Sequence, residues 1–523
     1  MSTETGFRVF PNLYKDSVAL MQLGAALRER PGIAEASCVM ATAANLAQLA
    51  QADLSIESEA RPSDLLVVVR GEARACDEAL DAAETLLSQP RADANAGSGT
   101  FSMPLTSIAA AVEQSSGADL ALISVPGDYA AAEALKALSV GLHVMLFSDN
   151  VDVAHERAIK QFADGRELLV MGPDCGTAIV NGVPLGFANV VRRGVVGLVA
   201  ASGTGLQEVT CRVHNRGAGV SQAIGTGGRD LREEVGGLTM MAGLRALAQD
   251  DATRVIVLIS KPPAPAIAAR ILDLAASSGK PTVVHFLGAT PDSVRGARLH
   301  AAHSLAEAAD IAVSLATGQA IAPKAKRDAI ESSDSLLDGL APTQRLVRGL
   351  FSGGTFCYEA QLAFVARGLR CRSNAPVHGA LPLDASAGEH VFIDMGDDEY
   401  TRGRPHPMID PTLRNAAIRD AAQDAAVAVL LFDVVLGYGA HQSPAGSVAD
   451  ALRAAQRTAA MHCRKLLAIG HVCGTDMDPQ DRERELRALV AVGAIVAESN
   501  IEAARMAAEI ASRLAVRDAV RTS

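Results

Sequence analysis

Two short loops combine serine, glycine and threonine immediately ahead of a helix-like stretch: Ala201-Ser202-Gly203-Thr204-Gly205 and Phe351-Ser352-Gly353-Gly354-Thr355. Loops of this composition leave backbone N–H groups and hydroxyls pointing away from the chain. The helix behind them adds partial positive charge. The chemistry this suits is holding a phosphoryl group or a related oxyanion. A plain strand-to-helix turn with a hydroxyl N-cap reads the same way for either loop alone, and it is the pair that favours an anion. Neither loop ends in Gly-Lys-Ser/Thr, and no dinucleotide fingerprint occurs, so the common nucleotide loops are excluded.

A second glycine turn follows each loop. Gly225-Thr226-Gly227-Gly228 leads into Arg229 and Asp230, and Gly396 leads into Asp397, Asp398, Arg402, Arg404 and His406. Arg402 and Arg404 can clamp a carboxylate or phosphate in bidentate fashion, with a solvated charged loop as the plain alternative. Asp394, Asp397 and Asp398 offer hard oxygen ligands to Mg²⁺. His300 and His303, with Arg295 and Arg298 close by, have the residue types of a phosphoryl carrier. Two surface histidines are the plain reading. The pairs His462/Cys463 and His471/Cys473 fit packing better than metal by their spacing, and no metal site is expected.

The elements that position these residues alternate strand and helix. Residues 1–92 read as a small α/β unit, with strands at 8–10, 36–40 and 64–70 and helices at 17–29, 43–51 and 73–88. Residues 90–103 read as a linker. Residues 104–190 form a second unit with strands at 118–125, 143–147 and 168–171, the last leading into Gly172-Pro173-Asp174-Cys175-Gly176-Thr177. Units at 194–318 and 342–518 share one order: strand, Ser-Gly loop, helix, strand, glycine turn. That order fits duplication. A second linker is read at 317–340. Strands alternating with helices of about 10–15 residues imply right-handed crossovers and parallel sheets, whose ligands bind beyond the carboxyl ends of the strands.

Composition agrees. Of 523 residues 49% are hydrophobic but only 3% are aromatic, and tryptophan is absent, so the core must be built from Ala, Val, Leu and Ile. A net charge of −11 argues against a nucleic-acid partner. No apolar run reaches about 18 residues, so no membrane helix is expected. The start of the chain lacks a signal-peptide apolar stretch, which points to a cytoplasmic protein. The eight cysteines are scattered without a C-x-x-C pair, as expected of reduced thiols.

Together, Gly172-Pro-Asp-Cys-Gly-Thr177, Ser202-Gly-Thr204 and Gly225-Thr-Gly-Gly228 resemble the α subunit of the succinyl-CoA synthetase superfamily. The last unit resembles the ligase domain of that superfamily's β subunit. With Asn12-Leu-Tyr-Lys-Asp-Ser-Val18, the whole chain resembles the FdrA family. The resemblance implies an α/β multidomain fold: a small N-terminal α/β domain, a Rossmann-like CoA-binding-type domain, then two flavodoxin-like ligase domains. The chain also departs from the synthetase pattern. The synthetase's phosphohistidine is flanked by Gly and Ala, whereas His300 is flanked by Leu299 and Ala301. The synthetase's orienting Glu is replaced by Lys261, a cation suited to a phosphate or carboxylate. There is no room for an ATP-grasp domain. The second unit has no glycine-rich first loop for a CoA phosphate.

FdrA proteins resemble the AllF subunit of oxamate carbamoyltransferase. That resemblance implies carbamoyl transfer between oxalurate and phosphate, giving carbamoyl phosphate and oxamate in allantoin breakdown. Phosphate is then a co-substrate, CoA or Mg²⁺ are further candidates, and additional subunits and self-association are expected. The anion site would comprise Ser202, Gly203, Thr204, Gly205, Gly225, Gly227, Gly228, Ser352, Gly353, Gly354, Thr355, Gly396, Pro173, Asp174 and Cys175, with Lys261, His300, Arg402 and Arg404 acting on the substrate. The alternatives are an ADP-forming acyl-CoA ligase subunit with phosphorylated His300 and a non-catalytic binder of acyl phosphate or CoA.

Overall fold

Leu65 to Val69 is an unbroken apolar run, which a strand can carry only if both its faces are covered. In the computed structural model this run is the centre of β3 (Leu65–Glu72), flanked antiparallel by β1 (Thr3–Phe10) and β2 (Ile33–Met40). The structure describes residues 3–13, 15, 17–51, 54–56, 58–88, 105, 107–115, 117–289, 293–319, 336–384, 388–401 and 405–522. Alternate residues of β3 serve two cores. Leu65, Val67 and Val69 pack with Leu20, Leu23 and Leu27 of α1 (Ser17–Arg28) and Leu80 of α3 (Ala73–Ser88). Leu66 and Val68 face Leu49 of α2 (Ala43–Gln51) and Leu54. The linker expected at 90–103 lies outside the described residues.

By contacts the chain divides into two compact units. The first is Met1–Ala118, including α4 (Ile108–Gln114), together with Asp397–Asp410. The second is Asp119–Gly396 with Pro411–Ser523. The second unit holds three sheets. The smallest is parallel: β4 (Leu120–Ile123), β5 (His143–Leu146) and β6 (Val170–Met171), linked through α5 (Gly127–Ser139) and α6 (Val153–Asp164).

The next sheet has seven strands in the order β13-β12-β11-β9-β10-β7-β8. Its parallel part is β9 (Arg193–Ala201), β10 (Val220–Gly225), β11 (Val255–Ser260), β12 (Thr282–Phe286) and β13 (Leu299–Ala301). Its antiparallel edge is a hairpin, β7 (Thr177–Val180) and β8 (Val183–Gly186). This hairpin lies before residue 194, yet it pairs with β10, so the sheet reaches back across the boundary read from the sequence. The signal was present: Asn181-Gly182, with φ of 51° and 84°, is the dipeptide of a tight hairpin turn. The crossover helices are α7 (Gly203–Asn215), α8 (Leu238–Gln249), α9 (Pro265–Ser277) and α10 (Leu305–Thr317).

The last sheet is wholly parallel, with strand order β16-β15-β17-β14-β18-β19-β20. Its strands are β14 (Leu346–Phe351), β15 (Cys371–Ser373), β16 (Leu381–Pro382), β17 (His390–Asp394), β18 (Val427–Val435), β19 (Leu467–Cys473) and β20 (Ile495–Ala497). The helices are α11 (Gly354–Val365), the short α12 (Asp398–Thr401) of the first unit, α13 (Thr412–Ala421), α14 (Pro444–Met461), α15 (Arg482–Val490) and α16 (Asn500–Thr522). Buried alanines 503, 504, 507, 508 and 511 let α16 lie close against α11, the role that large side chains play in other cores. In the parallel part of each large sheet the first strand, β9 or β14, has later strands on both sides. The loop that follows it therefore opens at a switch point of the strand order.

Candidate functional site

Those two loops meet. Ser202 caps α7: its Oγ accepts from Gly205 N at 2.9 Å, and it lies 2.6 Å from Thr355 Oγ1 at the start of α11. Two helix N-termini thus face each other across a pair of hydroxyls. The backbone N–H groups of Gly203, Thr204, Gly354 and Thr355 make no hydrogen bond with any described residue. Gly203 is exposed and Gly354 half-buried, so the junction is reachable from solvent. Close approach requires glycine here. A Cβ on Gly353 would stand 2.9 Å from Thr204 Cγ2 and 2.7 Å from Phe356 Cδ2.

The second loop is not the open cradle expected from the sequence. Its first donors are already spent on Asp433, at the end of β18. Ser352 N and Gly353 N donate to the Asp433 carboxylate at 2.8 Å each, and Ser352 Oγ donates to it at 3.0 Å. Arg414 on α13 completes this internal anion site, with Nη1 3.0 Å from Asp433 Oδ1 and 2.9 Å from Ser352 Oγ. Arg414, Asp433 and Ser352 are all buried. A carboxylate of the chain itself therefore occupies the place at Ser352 and Gly353 that was assigned to phosphate. The Asp394 carboxylate also crowds Gly354, whose Cβ would meet Oδ2 at 2.4 Å. External anions are left with Ser202, Gly203, Thr204, Gly354 and Thr355.

The glycine turn after β10 is built into a joint. A Cβ on Gly225 would lie 2.5 Å from Cys175 Sγ, and one on Gly227 (φ 81°) 2.2 Å from Pro173 O. Asp174, at φ 56°, is held by its N–H to Ser148 O at 2.9 Å. The Cys175 thiol lies 3.5 Å from Thr177 O and from Gly225 O, and burial pushes its pKa up to about 12, so it is no nucleophile. Gly228 has open space around it. Buried Lys160 fixes this joint by bonding Glu156 at 2.9 Å, Asp230 at 2.8 Å and Thr226 O at 3.0 Å.

Of the remaining sequence candidates Lys261 comes to the edge of the junction, one residue past Ser260, the β11 partner of Ala201, whereas His300 does not. His300 pairs in register with Val283, and through Val257 with Leu198, on an edge strand three spacings from β9. That separates it from the loop by roughly 14 Å across the sheet at ~4.8 Å per strand. Lys261 is exposed, with Nζ 5.6 Å from the centroid of the Tyr358 ring. Gly396 N donates to Asp394 Oδ1 at 3.0 Å. Arg402 and Arg404 lie outside the described residues. Among the described residues no group of His, Cys, Asp and Glu is arranged to hold a metal ion.

Sequence reasoning missed the polar crossing behind the junction. Glu208 of α7 reaches His471 of β19, Oε2 to Nε2, at 2.7 Å. At the matching position of α11, Glu359 accepts from Asn500 Nδ2 at 2.8 Å and from Leu305 N at 3.2 Å. Burial pushes the Glu359 carboxyl up to about 7. Glu208 moves His471 the other way from its own burial, with a net rise above the usual imidazole range. His285 of β12 is the counterpart of His471: both direct Nδ1 at a carbonyl on the neighbouring edge, Ala302 O at 2.9 Å and Ala497 O at 3.3 Å. The equal offset from Gly203 to Glu208 and from Gly354 to Glu359 was the readable signal.

Comparison with known proteins shows that these parallel sheets and facing helix N-termini belong to a CoA-ligase-like fold. Residues 350–510 match the CoA-ligase family, residues 192–288 the CoA-binding domain, and residues 1–102 the "AllF, heavy metal-associated domain". The CoA-binding match thus falls one unit later than the 104–190 segment read from the sequence. Over 510 residues the chain is 41% identical to the uncharacterized protein YahF of Escherichia coli, covering 95% of this chain and 97% of that one. Succinate–CoA ligase [ADP-forming] subunit alpha of Staphylococcus aureus is 27% identical over 165 residues, 30% of this chain and 53% of that subunit. A solved dinucleotide-forming acetyl-coenzyme A synthetase of Ca. Korarchaeum cryptofilum aligns loosely, at 18% identity, 77% and 85% coverage and a TM-score of 0.28. The chain belongs to the FdrA family, with its AllF-type N-terminal domain, within the succinyl-CoA synthetase superfamily.

The N-terminal domain does not fit the heavy metal of its family's name. Soft cations take exposed thiolates or imidazoles. Residues 1–118 contain no histidine, and their cysteines, Cys38 and Cys76, are buried in the core. The connection from β1 to α1, Pro11-Asn-Leu-Tyr-Lys-Asp16, contains neither residue type.

Proposed function

We propose that this chain is a subunit of an acyl or carbamoyl transferase that uses phosphate, passing a carbamoyl group between oxalurate and phosphate to give carbamoyl phosphate and oxamate. The observation that carries the reading is the junction of α7 and α11. It brings four unpartnered backbone N–H groups and two hydroxyls to one point. Phosphate attacks the carbamoyl carbon, and the oxamate nitrogen leaves with a proton. The N–H groups oppose the charge that develops on the carbonyl oxygen and hold the phosphate. No buried thiol or histidine nucleophile is needed. The AllF-type domain supports carbamoyl transfer in particular, and further subunits belong to the working complex. The ligase reading draws on the succinate–CoA ligase likeness. The position of His300 speaks against that residue as its phosphoryl carrier.

The test is phosphorolysis of oxalurate by the chain reconstituted with the products of its neighbouring genes, followed by ³¹P NMR. Carbamoyl phosphate should appear without ATP, and His300→Asn should leave its rate unchanged. Absence of any carbamoyl phosphate, or loss of turnover with His300→Asn alongside an acid-labile phosphoprotein in the native chain, defeats the transferase reading.

A further inference from the structure

Arg414 is 2% exposed and uses only one end of its guanidinium. Nη1 makes three contacts: 2.9 Å to Ser352 Oγ, 2.9 Å to Asp433 O and 3.0 Å to Asp433 Oδ1. Nε is buried without a partner, and Nη2 donates to no described residue. Nε–H and Nη2–H are the parallel pair on the long side of the guanidinium plane, the pair that matches the two oxygens of a planar anion. Leaving a buried charged donor unmatched is costly, and a protein that retains one has a use for it or fills it with a ligand.

We propose that the free side of Arg414 is the receptor for a substrate carboxylate. The ion pair with Asp433 fixes the guanidinium plane, and Ser352 ties it to the loop that ends at Thr355. The receptor therefore stands one loop away from the facing helix ends. The pairing also selects the ligand. Asp433 already balances the single positive charge of Arg414, and the Asp394 carboxylate borders the same loop at Gly354. A monoanionic carboxylate adds one negative charge there, whereas a phosphate dianion would add two against the same two aspartates. The arrangement thus separates two anions: carboxylate at Arg414, phosphoryl oxygens at the α7–α11 junction. The ownership of the carboxylate rests on the transferase reading. The receptor itself rests on the Arg414 geometry.

The test is binding of oxamate and of inorganic phosphate, each titrated alone into the full chain by calorimetry. Arg414→Lys keeps a cation beside Asp433 but removes the planar pair. Oxamate affinity should fall on the order of 10-fold or more, as for loss of a charge-assisted pair, while phosphate affinity stays within about twofold of wild type. Oxamate binding equally well to both proteins, or not at all to wild type, overturns the proposal. Should Arg414→Lys fail to fold, a crystal of the wild-type chain with oxamate decides. A carboxylate within hydrogen-bond distance of Nε and Nη2 supports the receptor, and oxamate bound anywhere else refutes it. Oxamate bound at Arg414 in a chain that never yields carbamoyl phosphate would sink the transfer reading and leave the receptor standing.

Discussion

Gly227 and Gly228 are neighbours in one turn, yet their surroundings differ completely. Gly227 has φ 81° and presses on Pro173 O, so a methyl group there meets both backbone strain and a 2.2 Å contact with rigid backbone. Gly228 has nothing within 4 Å. Gly227→Ala should cost about 2 kcal/mol or more in urea unfolding, while Gly228→Ala should stay within about 0.5 kcal/mol of wild type. Equal losses for the two variants would mean that the joint between the turns at 172–175 and 225–228 is not rigid. The sequence marked both glycines alike because glycine-rich turns look the same whether they face a ligand or their own chain. It marked Ser202 and Thr355 for the same reason, and there the structure brings the two together. It could not mark Asp433 or Arg414. The Asp433 contact joins Ser352 to a residue 81 positions away, and no local pattern announces a pairing of that separation.

Helices α7 and α11 carry the next scale, because each sends a buried glutamate from its second turn into the body of the protein. Glu359 has a pKa of about 7 in the folded chain against 4.5 when unfolded, so its contribution is fully present below about pH 4.5 and is lost as pH rises to about 7. His471, raised by Glu208, contributes below the ordinary imidazole pKa of 6.5 and loses that contribution as pH climbs through its raised value. Both terms have the same sign, so together they weaken the fold on the way from mild acid to mild alkali. Glu359→Gln should flatten the part between about pH 4.5 and 7, where the wild-type term changes by on the order of 3 kcal/mol at 1.36 kcal/mol per unit. His471→Ala leaves Glu208 buried and unpaired, at a cost of about 3–5 kcal/mol. Denaturant midpoints measured across pH 4.5–9 read both. A wild-type curve and a Glu359→Gln curve that run parallel through that range would refute the assignment. Much of this scale was legible beforehand. Long apolar runs such as Val427–Phe432 and the helices between them come from periodicity that the folded chain retains. Strands β13, β15 and β16, of two or three residues, offer too few positions for any period to appear, and the hairpin at 177–186 was lost by passing over Asn181-Gly182.

The two compact units are held to different chain segments than the sequence order suggests. The chain leaves the second unit at Gly396, runs through the first unit over Asp397–Asp410, and returns at Pro411. Nothing in the local sequence forecasts this, because a residue that ties the end of the excursion is Arg28, 382 positions away. Arg28 Nη1 makes an ion pair with Asp410 Oδ2 while Nη2 donates to Ala36 O at 2.8 Å, and the side chains of both partners are 10% or less exposed. Removing Arg28 takes one charge-assisted bond from Asp410, a loss of about 1.5–3 kcal/mol. That loss falls first on the excursion, since only its end is tied by this contact. Arg28→Ala should therefore speed chymotryptic cleavage after Tyr400 by about 10-fold or more, following the local opening equilibrium. The bulk unfolding midpoint of the second unit should hardly move. Mass spectrometry of the first fragments gives the answer. Cleavage after Tyr400 as slow as in wild type would show that the segment is held by something other than Arg28. Cleavage spread evenly along the chain would show that the pair stabilises the whole N-terminal unit instead. With Cys38 and Cys76 committed to the core of this domain, adding a soft divalent cation should leave the cleavage rate unchanged.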